Sequence, residues 1–398
     1  MLLLELLAGT ALGFAFGLLP SLHINLIGYA FFAFGVFSFF KGHFFFFFAL
    51  CVSQTLTSII PSLLFYTQTQ DTILSPFLGQ FPSTLSGLSP LISLSLLGFL
   101  LGGLFSVLFL PIFYLLFSLF SDFYILLFLV LVIVLVSLVF MERGWKARAL
   151  TFSIIVFSGV LGVFTLKYNF FFRASLIPCI FGLFAFPSIL CLLFSREGRG
   201  VEESKPVQEL VCFKDVVSTS FLGTIFSSAV AIFPSLSPGL AMVLADFFNK
   251  HKTKENTILL YSSILSSVIL IYFFLSLVFN KHRLGFLSLL SESGIIPNAS
   301  FPDILALAFS FLLVLGLTTF LCNLYLPSII SIFEKLNKKF VFLLISLFTI
   351  FLVVVFCGLS GLFLLFVSTA IGFLPILYNK NRLALMSYLI VPTILFFA

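Results

Sequence analysis

Leu19-Pro20-Ser21-Leu22-His23-Ile24-Asn25 and Phe233-Pro234-Ser235-Leu236-Ser237-Pro238-Gly239 are the two stretches that decide how this chain folds. Each interrupts an apolar run, 6–40 and 216–245, that is free of charge but too long for one simple membrane span. Pro20 removes a backbone donor and ends the helix before it. Ser21 is a good N-cap for a helix starting just after it. The second stretch is still less able to continue a helix, with two Pro and a Gly within six residues. A helix N-terminus within an apolar layer presents N–H groups and positive dipole, which is a ready anion site. Irregular backbone at that depth survives only when buried in protein or lining a cavity. The bland alternative for either motif alone is an ordinary proline kink.

The two motifs are copies. A shift of 214 positions lays Gly9-Thr10 on Gly223-Thr224, Ala15 on Ala229, Pro20-Ser21-Leu22 on Pro234-Ser235-Leu236 and Leu26 on Leu240, seven identities in eighteen positions. Five further apolar runs follow each motif: 43–66, 89–118, 122–140, 149–166 and 174–194 in the first half, and 257–280, 304–332, 340–356, 359–377 and 383–398 in the second. The expected fold is therefore an all-α polytopic membrane protein made of two inverted repeats. Each repeat is a Pro-broken, re-entrant-like hairpin followed by about five transmembrane helices. The first repeat is expected over 1–194, with its hairpin at 1–40. A charged linker covers 195–215, and the second repeat covers 216–398, with its hairpin at 216–249.

Composition excludes the competing classes. Of 398 residues, 61% are hydrophobic and 9% charged, and the mean hydropathy is +1.27. A soluble domain is about 45–50% apolar and about 25% charged. The formal charge of +6 is no nucleic-acid signal, because the Lys and Arg sit in short loops. Six scattered Cys without a C-x-x-C pair indicate neither a disulfide framework nor a zinc site. No metalloprotease, nucleophile-elbow or phosphate-loop motif occurs, so an enzyme, a cofactor and a bound metal are not expected. Loop charge orients the chain. The loops 141–148, 195–215, 249–255, 333–339 and 378–382 hold fifteen Lys and Arg, against five on the other side (Lys41, Lys167, Arg173, Lys281 and Arg283). The basic side is expected to be cytoplasmic and both termini external. The segment 67–88, expected on the cytoplasmic side, fits badly because it has no Lys or Arg.

The candidate substrate residues are Pro20, Ser21, His23 and Asn25 at the first break and Pro234, Ser235, Ser237, Pro238 and Gly239 at the second. A polar cluster in the next span adds Gln54, Thr57, Ser58, Ser62 and Thr67; interhelical hydrogen bonding is its alternative role. His23 is the only side chain between Glu5 and Lys41 of a type that titrates within reach of physiological pH, and is the candidate for ion coupling. Glu5 and Asp246 are weaker candidates for a coupling cation. Asn323 reads as helix glue, and His43, His251 and His282 as solvated.

These residues resemble the large permease subunit of the tripartite tricarboxylate transporters, in particular its archaeal stand-alone branch. Gly13-Phe-Ala-Phe-Gly17-Leu-Leu-Pro20-Ser-Leu-His23-Ile-Asn25 is similar to the family's first Gly-rich proline motif, and Pro234-Ser-Leu-Ser-Pro-Gly239 to its second. Pro61 to Ser75 and Ser158 to Phe186 resemble the segment after the first motif and the close of the first half. Ser21 stands where Gly is usual, and Lys281-His-Arg283-Leu-Gly285 is a degraded form of the family's basic motif. The resemblance implies a permease for an organic anion, a carboxylate of tricarboxylate type. The anion would sit at the opposed helix N-termini, with transport coupled to H⁺ or Na⁺. It also implies a small membrane subunit and a periplasmic binding protein as partners. A translocase for a lipid phosphate such as polyprenyl phosphate is the alternative, with the same helix ends holding the phosphate and Phe-rich walls taking the tail.

Overall fold

A computed structural model describes residues 1–20, 22–65, 85–120, 123–167, 176–194, 212–233, 235–249, 253–297, 299–378, 380 and 382–397. Ser21, Thr67 and Pro234, most of the 195–215 linker, and His251 lie outside them. The described residues form helices joined by turns and short irregular stretches, with no strand among them, and seven of the helices are long and apolar enough to cross a membrane. Lipid offers no partner for backbone N–H and C=O groups, so an apolar chain at this depth is driven to helix. Large apolar side chains face outward, among them Leu359, Phe366 and Phe309, as a lipid-facing surface requires.

The first half comprises α1 (Leu2–Gly17), α2 (Ile24–Ala33), α3 (Val36–Phe39), α4 (Phe44–Thr57), α5 (Ile59–Phe65), α6 (Leu85–Leu108), α7 (Leu110–Phe120), α8 (Tyr124–Phe140), α9 (Trp145–Gly162), α10 (Leu176–Ile180) and α11 (Phe186–Phe194). A π-helical turn, Val163–Lys167, extends α9, and another, Phe181–Ala185, joins α10 to α11. The second half comprises α12 (Phe213–Ile232), α13 (Pro238–Asp246), α14 (Lys254–Phe279), α15 (Gly285–Glu292), α16 (Phe301–Lys335), α17 (Lys338–Leu377) and α18 (Ser387–Phe397). Several helices run past their charge-free cores. Lys214 and Asp215, read as linker, belong to α12, and Lys146 and Arg148 open α9. Long charged side chains at a span's end reach the interface and need not stop the helix. The runs 340–356 and 359–377 both fall in α17, which breaks at Gly358 (φ +61°).

Both broken segments fold as hairpins. Gly9, Gly13 and Gly17 pack in step on the carbonyls of Phe46, Leu50 and Gln54, so α1 and α4 run side by side in the same direction. The chain must therefore return between them, through α2 and α3. Glu5 and His43, at the two starts, meet at 3.0 Å, so neither is the freely solvated group the sequence suggests. A Cβ at any of the three glycines would overlap α4 backbone; small residues are what allow such close helix approach in a membrane. In the second half, the Phe226 and Phe248 rings lie 5.6 Å apart, which folds α13 back along α12.

Contacts recur at the 214-residue spacing. Gly9 faces Phe46 O and Ala49, and Gly223 faces Leu260 O and Ser263. Ser53 Oγ donates to Thr10 O at 2.9 Å, and Ser267 Oγ donates to Thr224 Oγ1 at 3.2 Å. Gly144 (φ +93°), between α8 and α9, is matched by Gly358 in α17. The halves also interlock reciprocally. Gly98 packs on Leu259 and Ser262, and Gly102 on Ser263, so α6 runs parallel to α14. Phe48 lies 6.3 Å from Phe311 between ring centres, and Thr57 Oγ1 lies 4.0 Å from Cys322 Sγ, so α16 runs parallel to α4. Gly162 packs on Tyr388, and Gly372 on Gly182 and Leu183. The last helix of each half thus sits in the other half. α14 is buried along its whole span.

Arg382, read as a loop cation, is instead buried. Its guanidinium donates to Ser188 Oγ (2.5 Å), to Leu183 O (3.3 Å) and to Phe184 O. A π turn spoils the regular backbone ladder, and Arg382 supplies donors to its carbonyls. Asn323 is exposed on α16 and does not glue helices within this chain.

Gly13→Val places a side chain into the Leu50 backbone. It is expected to lower stability by about 1–3 kcal/mol, the usual range for overpacking, as a drop in melting temperature of the detergent-solubilised protein. Gly316→Ala, where nothing lies within 4 Å of the added methyl, is expected to be neutral or to stabilise by up to about 1 kcal/mol. Equal melting temperatures for the two variants would refute the close-packing account of α1.

Candidate functional site

The hairpin tips close on a cavity of about 220 Å³ lined by His23, Asn25, Tyr29, Ser235, Ser237, Pro238, Tyr272, Arg283 and Gly285 together with apolar side chains. Three helices begin at it. His23 is the N-cap of α2, and its Nδ1 accepts from Asn25 N–H at 3.1 Å. An imidazole nitrogen accepts through its lone pair, so Nδ1 is the acceptor nitrogen of the ring in this bond. Ser237 is the N-cap of α13, and its Oγ accepts from Leu240 N–H at 3.3 Å; Pro238 occupies the first helical position, where its missing donor removes nothing. At α15, Asn25 Oδ1 accepts from Phe286 N–H at 2.9 Å. Asn25 thus ties the start of α2 to the start of α15, and Gly285 leaves room for it.

Ser235 at the second tip has φ +65°, a left-handed conformation uncommon outside glycine. Its hydroxyl is bonded to that of Thr393 on α18, which holds the strained turn in place. Strain of this kind persists only where surrounding structure fixes it, and it gathers at functional sites.

Arg283 is the charge at the cavity. Its Nη2 donates to Ile232 O at 3.2 Å, at the end of α12, and its guanidinium lies 6.0 Å from the Phe117 ring centre. Its Nε is buried without a hydrogen-bond partner, a costly arrangement unless something else completes it. No Asp or Glu is among the described residues lining the cavity.

The sequence candidates divide. His23, Asn25, Ser235, Ser237 and Pro238 come together at this cavity. Gly239 is in the first turn of α13 but is not a lining residue, and Pro20 lines a neighbouring groove. Gln54, Thr57, Ser58 and Ser62 do not line it either. Gln54 Nε2 donates to Leu22 O at 2.7 Å, supporting the first tip from behind. Thr57, Ser58 and Ser62 donate to the carbonyls of Ser53, Thr55 and Ser58 at 2.8, 2.8 and 2.7 Å. Sequence reasoning left Arg283, Tyr29 and Tyr272 out. Arg283 reads as a loop cation because it stands in the polar stretch Asn280-Lys281-His282-Arg283 after α14; α15, docked on α2 through Phe286 and Gly28, is what turns it inward. Among the described residues no group of His, Cys, Asp or Glu is arranged to hold a metal ion.

Positive helix ends and an arginine on one cavity, with no carboxylate among its described lining residues, are chemically suited to an anion. No curated protein and no solved structure matches the chain. The family model described as tripartite tricarboxylate transporter TctA family matches residues 3–387. With nearly its whole length covered, this multi-pass membrane protein belongs to the TctA family of tripartite tricarboxylate transporter permeases.

Proposed function

We propose that the chain carries an organic carboxylate across the cytoplasmic membrane by alternating access, coupled to an ion, with the anion held between the two hairpin tips. The observation that carries this reading is the cavity itself: the starts of α2, α13 and α15, together with Arg283, surround it without a described carboxylate. Arg283, with its unsatisfied Nε, binds one carboxylate group; the helix ends bind another. The family name adds the tricarboxylate class and a tripartite assembly, hence a small membrane subunit and a binding protein as partners.

The moving parts in this proposal are two inverted repeats, divided by the 195–215 linker. The α4-type helix of each half runs parallel to the α6-type helix of the other. Successive spans in a membrane alternate in direction, so the two halves point opposite ways. Sidedness follows from loop charge. Glu142 bonds Lys380 at 2.8 Å and Glu5 bonds His43 at 3.0 Å, each pair joining segments assigned to one side. A cysteine in place of Glu202, in a cysteine-free background, is expected to be protected from an impermeant thiol reagent outside intact cells. One in place of the exposed Lys281 is expected to label. The reverse pattern inverts the orientation.

Arg283→Gln removes a charge-assisted bond of about 1.5–3 kcal/mol. Citrate or succinate binding to the purified protein by titration calorimetry is expected to weaken ~10- to 100-fold. Unchanged affinity would overturn the anion site.

His23 is the proposed proton carrier. Protonation would turn Nδ1 from acceptor to donor, break the cap on Asn25 N–H and loosen the α2–α15 junction. His23→Asn keeps a good N-cap but does not titrate. It is expected to retain anion binding while losing the pH dependence of uptake into proteoliposomes. Wild-type pH dependence in this variant would assign coupling to another group.

A further inference from the structure

The anion cavity has an apolar neighbour. A groove of about 540 Å³ lies against it, and Leu26 and Phe181 belong to both walls. One side of the groove is the first hairpin, with Phe16, Pro20 and Phe31; the opposite side is α17, with Val341, Ile345 and Leu352. Among the described lining residues Thr349 is the one with a hydroxyl, and its Oγ1 already donates to Ile345 O at 2.8 Å. Water needs two or more polar partners to stay in such a space, and the described lining side chains offer none. The groove is therefore fitted to hydrocarbon.

The tip of the first hairpin stands between the two spaces. His23 and Asn25 turn to the polar one, and Pro20 and Leu22 to the apolar one. Resting on the anion-site reading above, we infer that the ligand is an amphiphile: a carboxylate head held by Arg283 and the helix ends, with a single hydrocarbon chain passing Leu26 and Phe181 into the groove. The charge of the first space and the apolar lining of the second select the two ends of one molecule. Bulk bilayer chains would suit the groove but not the charged cavity beside it. A tricarboxylate would suit the cavity and leave the groove unused.

The test uses the full chain in lipid nanodiscs and compares succinate, butylsuccinate and octylsuccinate, with free aqueous concentrations measured. Transfer of a methylene from water to an apolar site is worth ~4-fold in affinity. Octylsuccinate is expected to bind at least 10-fold more tightly than succinate to the wild type. Val341→Trp fills the groove from α17, away from the anion cavity. It is expected to bind succinate normally and to lose most of the chain-length gain. No chain-length gain in the wild type would overturn the inference, as would a gain of the same size in Val341→Trp, which is partition into the bilayer. Tighter binding of octyl phosphate than of octylsuccinate would overturn the carboxylate head. Arg283→Gln separates the two readings: if it leaves succinate binding unchanged, the anion site itself fails, whereas a succinate loss without any chain-length dependence sinks only the hydrocarbon tail.

Discussion

A helix that begins inside an apolar layer has first-turn N–H groups with no intrahelical partner, and the architecture around the cavity depends on how they are satisfied. His23 caps α2, Ser237 caps α13, and Asn25 reaches across to cap α15. Each cap settles only part of the demand. The rest of the positive end stays directed at the cavity, where Arg283 adds a full charge. In the proposed anion site, binding the ligand and stabilising the broken helices are thus one physical problem with one solution. The surrounding helices have to hold these ends in place. The glycine ladder of α1 sets the first tip against α4, and Gln54 grips it at Leu22. The bond from Ser235 to Thr393 sets the second.

Much of the fold was legible because a membrane makes the sequence nearly one-dimensional. Apolar run length reports helices, and proline reports where they stop. The runs at 43–66, 257–280 and 304–332 lie on α4–α5, α14 and α16 within a few residues. Charge in the sequence misleads wherever tertiary packing claims a cation. Arg382 and Arg283 stand in short polar stretches between apolar segments, as solvated loop residues do, yet one bonds to a π turn and the other faces the cavity. A clue to Arg283 was available in the short helix that follows it, whose Leu and Phe leave little reason to lie in water.

The polar cluster of α4 misleads in the opposite direction. Ser, Thr and Gln within a span suggest a ligand, but a hydroxyl can bond to a carbonyl one turn back, which removes the cost of burial without a partner from elsewhere. Thr57, Ser58 and Ser62 do this. The motif residues differ because a proline break leaves backbone in need of them. That His23, Asn25, Ser235 and Ser237 would meet was readable because the chain around them cannot be a continuous helix.

The Ser235–Thr393 bond joins residues 158 positions apart, and this separation has a consequence for biogenesis. The second hairpin enters the membrane early in the synthesis of its half, but its left-handed tip has no anchor until α18 arrives. Leu389, also on α18, closes the same cavity. A nascent chain halted before α18 would hold nearly every span and still have an unfinished cavity, so the proposed anion site is assembled among the last events of membrane insertion.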